Sequence, residues 1–290
     1  MYPCSLPLHQ SSIDEENPVL NYNLKALLEF LEALFRHPLA SLMVLRKLPR
    51  MVRGLVMARN WQPDQARAIP QDQQISTGSM AAWLETKQGG RGIMKWRHHI
   101  ESYDEYFQRF RGKPVHVVEI GVHSGGSLEM WRNYFGMDCL VYDIDIHEDC
   151  RAYENQYTRI FIGDQADRSF WTRFRQQVPH VDILIDDGGH TFEQQAVTIE
   201  EMLHHIAPGG LYACEDIFPS RNSFAAYLYG LIAALNDVDE KHVVSGRHTP
   251  FQAAIASIHF LPYLILIKKH DQFSGIRFIK KGEQWNPLQT

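Results

Sequence analysis

The sequence predicts an α/β fold: a Rossmann-like, doubly wound and mostly parallel sheet behind a helical N-terminal extension. Three observations carry that expectation. From about residue 115, short aliphatic or β-branched runs alternate with stretches of helical period. The first run, Val115 to Ile120, opens at once into a glycine-rich turn and then a helical stretch. Five successive runs end in polar or acidic residues. In open α/β sheets ligands bind outside the carboxyl ends of the strands, so those ends predict one cleft.

Composition sets the bounds. With 290 residues, 44% hydrophobic and 22% charged, the chain matches an ordinary soluble globular protein, which excludes disorder, collagen and a disulfide scaffold for the whole. Its net charge of −5 offers no global basic field, so nucleic acid is not an expected partner. Cys4, Cys139, Cys150 and Cys214 lack CxxC spacing and read as reduced thiols. Neither an uninterrupted apolar span nor a secretory signal is evident, so a cytoplasmic location is expected.

The N-terminal 90 residues differ in charge and pattern from residues 91–290, and this shift predicts a helical extension before a single α/β domain. Residues 1–90 carry nine basic and eight acidic groups; the remainder carry 20 and 26. Asn21 or Asn23 suits the cap of a helix that His37-Pro38 ends, because the residue before proline avoids the helical region. A second helix over about 39–59 is expected to kink or break near Pro49. From Arg36 to Arg59 there are six basic residues and no acid. This stretch reads either as a helix packed on the catalytic domain or a partner subunit, making a homo-oligomer, or as a membrane-surface helix drawn to anionic lipid. Residues 62–78 read as a linker.

In the α/β region, strand Val115–Ile120 leads into Gly121-Val-His-Ser-Gly125-Gly126-Ser127 and a helix from Leu128 to about Phe135. Glycines let the backbone turn sharply and a ligand approach the helix N-terminus. A dinucleotide turn wants a second glycine where Val122-His123 stands. Glu119, two residues before Gly121, instead suits a cofactor with a cationic amine and no phosphate, such as S-adenosylmethionine. Strand Cys139–Ile146 places Asp145 26 positions after Glu119, about the distance for a carboxylate on ribose hydroxyls. The third strand ends in Asp164-Gln165, and the fourth in Asp186-Asp187-Gly188-Gly189-His190. A helix from about Phe192 to His205, a Pro208-Gly-Gly turn and a fifth strand ending in Glu215-Asp216 follow.

Asp187, Glu215 and Asp216 stand at neighbouring strand ends. Like charges at close range call for a cation, and a hard divalent ion such as Mg²⁺ matches oxygen donors. His190 at the same mouth titrates in the right range for a general base. The plain alternatives are a turn at Asp-Asp-Gly-Gly and a helix cap at Glu215-Asp216. The pairs His98-His99 and His204-His205 are read as structural, with side chains that diverge on a helix, and His123 as loop filling.

These stretches, with Lys95-Trp96 and the helix after it, resemble class I S-adenosylmethionine-dependent methyltransferases. More closely, they resemble the metal-dependent macrolide-sugar O-methyltransferases of the mycinamicin type; cephalosporin-hydroxylase-like proteins are more distant. The resemblance covers about residues 90–270. It implies that Ile255–Phe260 and Leu264–Lys269 form an antiparallel hairpin closing the sheet. It further implies cofactor contacts from Glu119, Gly121, Ser127, Asp145, Asp164, Gln165 and Asp186, with Asp143 as a competitor for the ribose. Asp187, Glu215 and Asp216 would hold the metal, and His190 with Asp187 would serve catalysis.

The expected reaction is metal-assisted methyl transfer from S-adenosylmethionine to a hydroxyl of a sugar or glycosylated natural product. An oxidative enzyme is the first alternative, but it would want two His and one carboxylate. A non-catalytic binding protein on the same fold is the second. Lids over a small hydroxylated acceptor are expected from residues 1–90 and 217–250.

Overall fold

The computed structural model describes residues 28–60, 78–218, 223–237, 248–276 and 281. The expected cap at Asn21 or Asn23, most of the 62–78 linker and much of the 217–250 lid lie outside them. Contacts divide the chain into two units, residues 1–73 and 74–290.

Within the first unit, α1 (residues 28–36) stops at His37, and Pro38 opens α2 (Pro38–Arg59). Proline suits that place because its missing N–H would be unpaired in any first turn. The second proline does not break the helix: α2 runs on through Pro49. Pro49 only deprives the Leu45 carbonyl of its intrahelical donor.

The second unit is a seven-stranded sheet in the order β3-β2-β1-β4-β5-β7-β6. Its strands are β1 (Val115–Ile120), β2 (Cys139–Asp145), β3 (Thr158–Ile162), β4 (Val181–Asp186), β5 (Ile206–Cys214), β6 (Ile255–Leu261) and β7 (Leu264–Lys269). Strands β1 to β5 run parallel; β7 lies antiparallel between β5 and β6. The order reverses between β1 and β4, and such a switch point opens a crevice at the carboxyl ends.

Side chains alternate across each strand, so each strand feeds two cores. Val118 and Leu184 pack into one with Trp171 and Phe174 of α6 (Arg168–Gln177) and Val197 of α7 (Phe192–Met202). Their neighbours Val117 and Ile183 pack into the other with Met80 of α3 (Met80–Thr86), Tyr103 and Phe107 of α4 (Arg97–Phe107), and Trp131 of α5 (Gly126–Phe135). Strands buried on both faces read as nearly continuous apolar runs, which is why they were visible in the sequence. Helices α8 (Phe224–Leu235) and α9 (Pro250–Ala254) complete the first layer.

Two local readings change. Pro208-Gly-Gly lies inside β5, not before it, and the β4–β5 register slips between Val181 and Ile183. Helix α7 ends at Met202, and its last turn is closed from outside by Lys269 of β7. That ammonium donates to the carbonyls of Leu203 at 3.1 Å and His204 at 3.4 Å, and to that of Ile206. A cation there also complements the negative end of the helix dipole. The contact boundary near residue 73 precedes the composition shift placed at residue 90, because α3 packs with α4 and α5.

Candidate active site

A cavity of about 620 Å³ opens along the carboxyl ends of the parallel strands. Of the residues singled out by sequence, Glu119, Gly121, Ser127, Asp145, Asp164, Gln165, Asp187, His190, Glu215 and Asp216 line it. Asp186 and Asp143 do not; both are fully buried.

The end of the cavity built on β1 and α5 is shaped by backbone constraint. Gly121 has φ +102, and a Cβ there would collide with the carbonyl oxygen of Asp187. Only glycine lets β1 turn out against the end of β4. Glu119 points inward beneath this turn. Its Oε2 accepts from Ser127 Oγ at 2.6 Å and Trp131 Nε1 at 2.8 Å, so α5 holds the carboxylate. Its Oε1 faces Lys95 Nζ at 3.1 Å. Asp145, at the tip of β2, accepts from the N–H groups of Val122 (3.1 Å), His123 (3.3 Å) and His147 (2.9 Å). On β3's side, Asp164 accepts from Ala166 N–H at 2.8 Å.

Asp186 acts from behind the cavity wall. Its carboxylate accepts from the Gln165 amide at 2.9 Å and from Tyr212 at 3.2 Å, while the Gln165 oxygen accepts from Gly189 N–H at 2.9 Å. Burial pushes Asp186 up to about 6 despite these donors.

At the other end the acids do not form one patch. Glu215 is buried and turned towards the N-terminal side of α4. It accepts from Lys95 Nζ at 2.7 Å and Tyr103 OH at 2.7 Å, and pairs with His99 Nδ1 at 3.1 Å. Lys95, His99 and Tyr103 recur every fourth residue, the spacing of one helix face. That polar stripe on an otherwise apolar face was the signal that sequence reading passed over. The divergence expected of His98 and His99 is not seen: both rings reach the carbonyl of Pro262, at 2.9 and 3.2 Å. The β6–β7 turn supplies that acceptor.

Asp187 stands between two groups. Lys95 Nζ lies 2.6 Å from its Oδ2, and His190 Nε2 lies 4.0 Å from its Oδ1. Asp216 accepts from Trp96 Nε1 at 2.8 Å, and its other oxygen is 3.6 Å from His190 Nε2. Among the described residues, Asp187, His190 and Asp216 form the group whose candidate ligand atoms all lie within 4.8 Å of one another.

His190 is fixed from both sides. It follows the β4 turn, and Thr191 then starts α7 with a reciprocal capping box to Gln194. His190, Asp216 and His123 have φ of 57, 56 and 46, the left-handed region that side-chain-bearing residues avoid. Three such residues lining one cavity are the kind of strain that concentrates at functional sites.

The electrostatics follow from one ammonium facing three carboxylates. Burial opposes the Lys95 charge, but Glu215, Glu119 and Asp187 together hold its pKa well above the usual lysine range. Burial also acts on the acids: Asp187 is driven up to about 8 against the pull of Lys95. Glu215 is held at about 2, because Lys95, His99 and Tyr103 overcome its burial. Once Asp187 gives up its proton, three carboxylates face one ammonium, and their donors are hard oxygens. That donor set fits a divalent cation of the Mg²⁺ or Ca²⁺ class. His190 is lowered from its ordinary value by burial, despite nearby Asp216 and Glu215. It is therefore a neutral acceptor of protons at pH 7.

Residues 118–217 match a family model described as a methyltransferase domain. The chain is 36% identical over 134 residues to demethylmacrocin O-methyltransferase of Streptomyces fradiae, covering 44% of this chain and 33% of that protein. It is 29% identical over 199 residues to the 8-demethyl-8-alpha-L-rhamnosyl tetracenomycin-C 2'-O-methyltransferase of Streptomyces olivaceus, covering 61% and 52%. The matches thus span a third to about half of these relatives' length. Among solved structures, MycE methyltransferase from the mycinamycin biosynthetic pathway, in complex with Mg and SAH, superposes with a TM-score of 0.54 at 26% identity. That superposition covers 69% of this chain and 54% of MycE. In sequence and in fold, the α/β region of this chain resembles the macrolide and sugar O-methyltransferases.

Proposed function

We propose that this chain transfers the methyl group of S-adenosylmethionine to a hydroxyl of a sugar on a glycosylated natural product. The observation that carries the reading is a division within one cavity. Anchored carboxylates for a cationic cofactor line its β1–β2 side, and a cation-binding acidic group with a neutral histidine lines its β4–β5 side. The relatives' names supply the acceptor class.

Glu119, held by Ser127 and Trp131, sits where it can meet the amine of the cofactor's methionine part. Gly121 lets β1 turn against the end of β4, so that the cofactor's wall and the Asp187 strand end meet at one place. Asp145, at the tip of β2, suits the ribose hydroxyls better than Asp143, which does not reach the cavity. Asp164 and Gln165 flank the adenine, and Asp186 holds Gln165 in register.

Asp187 and Asp216 would hold the divalent ion; Glu215, expected as a third ligand, instead has both oxygens engaged by Lys95, His99 and Tyr103. When bound, such an ion orients vicinal hydroxyls of the acceptor and lowers the pKa of the attacked one. Asp187 and Asp216 aim their oxygens at the same side of the mouth as His190 Nε2. His190 would take the hydroxyl proton at that ring nitrogen, and bound S-adenosylmethionine would supply the methyl group to the oxygen, its sulfonium becoming a thioether. Placement contributes the larger share, since well-oriented partners gain roughly 7–11 kcal/mol. A cluster of one His and two carboxylates also reverses the two-His, one-carboxylate set of an iron oxygenase, so the oxidative alternative finds no support.

The test is methyl transfer from radiolabelled S-adenosylmethionine to a panel of glycosides, with and without EDTA. Labelled glycoside that disappears on chelation and returns with Mg²⁺ is expected. Equal labelling in EDTA would remove the metal; no labelling of any glycoside, with the cofactor still bound, would remove the acceptor class.

A further inference from the structure

Helix α2 presents two opposed faces that the methyl-transfer site does not use. At about 100° per residue, Val44, Leu45, Leu48, Met51, Val52 and Leu55 fall within an arc of about 120°. All six are exposed; Leu48 and Leu55 are 50% and 51% accessible. Arg46, Lys47, Arg50 and Arg53 fill a second arc of about 120° on the other side. No acid lies between Arg36 and Arg59. Between Val44 and Leu55 the helix is therefore an apolar ridge backed by cations, while exposed Leu39 and Met57 project on the cationic side near its two ends.

We propose that α2 is an interfacial anchor that lies in the headgroup layer of an anionic phospholipid bilayer. An amphipathic helix with a Lys/Arg-rich polar face and an aliphatic opposite face binds in the plane of the interface. The helix lies flat because no described helix is long and apolar enough to cross a membrane. Arg53 and Lys47 border the apolar arc, where long cationic side chains reach headgroup phosphates while their stems stay in the apolar layer. Charge also decides between a bilayer and a second copy of the chain. Two such helices packed ridge to ridge would bring their bordering cations together with no acid on α2 to offset them, whereas anionic headgroups neutralise every one.

Flotation of the full chain with phosphatidylcholine vesicles, and with vesicles that also hold phosphatidylglycerol, tests this. Binding is expected only to the anionic vesicles and should fall several-fold as added salt screens them. The double variant Arg46→Gln, Arg50→Gln should lower partitioning roughly 25-fold, about fivefold for each basic residue removed. Leu48→Ser with Leu55→Ser should weaken it without removing its dependence on anionic lipid. Equal flotation with neutral vesicles, or none with anionic ones, overturns the proposal. So does a dimer in sedimentation equilibrium that Leu48→Ser with Leu55→Ser converts to monomer, which would make the ridge a subunit interface.

Discussion

Lys95 Nζ lies 2.6 Å from Asp187 Oδ2, joining the segment before α4 to the end of β4 across 92 residues of sequence. The same ammonium meets Glu215 and Glu119, so a single side chain ties β1, β4 and β5 together at their carboxyl ends. Replacing it by Met leaves three carboxylates facing one another in a buried place. Removing one partner of a buried pair costs about 3–5 kcal/mol. Lys95→Met should therefore lower the urea midpoint substantially, and saturating Mg²⁺ should recover part of the loss. An unchanged midpoint would mean that the ammonium contributes no net stability.

His190→Ala should reduce methyl transfer by about 10²–10⁴, the range for a lost general base. S-adenosylmethionine binding, measured by calorimetry, should stay unchanged, because the residues proposed to hold the cofactor lie on other strands. Full turnover would reassign the base.

The acid limb of the rate profile offers a separate check on the same residue. His190 accepts a proton only when neutral, and burial lowers its pKa. Activity should thus persist below the ordinary histidine value of about 6.5 and fall only at more acid pH. A limb well above that value would contradict the lowered pKa.

Gly121→Ala should destabilise the domain by at least about 2 kcal/mol, since it combines positive φ with a backbone collision. The displaced strand end carries Asp187, so cofactor and metal affinity should fall together. Thermal unfolding and calorimetry on the variant read both; an unchanged melting temperature argues against the close approach.

Asp186→Asn tests a pH term in stability. The folded-state value of about 6 exceeds the usual 3.8, so the folded protein binds the extra proton between about pH 4 and 6. Stability from this group is present below pH 4 and is lost as pH rises through 6. Two units correspond to about 3 kcal/mol. The difference in unfolding free energy between Asp186→Asn and its parent should shift by up to that amount in the variant's favour over this window. A flat difference would show that Asp186 titrates normally.

The five parallel strands were legible because burial on both faces writes an apolar run, and the acids at their ends mark the cleft. What escaped was long-range. Lys95 precedes α4 and His99 and Tyr103 lie on it, before the sheet begins, and only packing brings them onto Glu215. Asp186 and Asp187 are adjacent and look equivalent in sequence. Strand alternation sends one behind the wall and the other into the cavity, so a one-residue difference separates support from function. Pro208-Gly-Gly read as a turn because such residues punctuate chains, yet the β4–β5 register slip accommodates it inside a strand.

Lys269 closes α7 from β7, on the sheet face that α7 covers, and β7 also covers the open edge of β5. Both tasks fall to residues made after the rest of the sheet. A nascent chain that has left the ribosome only as far as α9 holds every proposed catalytic group, yet it exposes an unpaired strand edge and an unfinished helix end. Such an edge invites pairing with other chains. Emergence of residues 255–269 is then the event that pairs this edge and completes the sheet around the cavity.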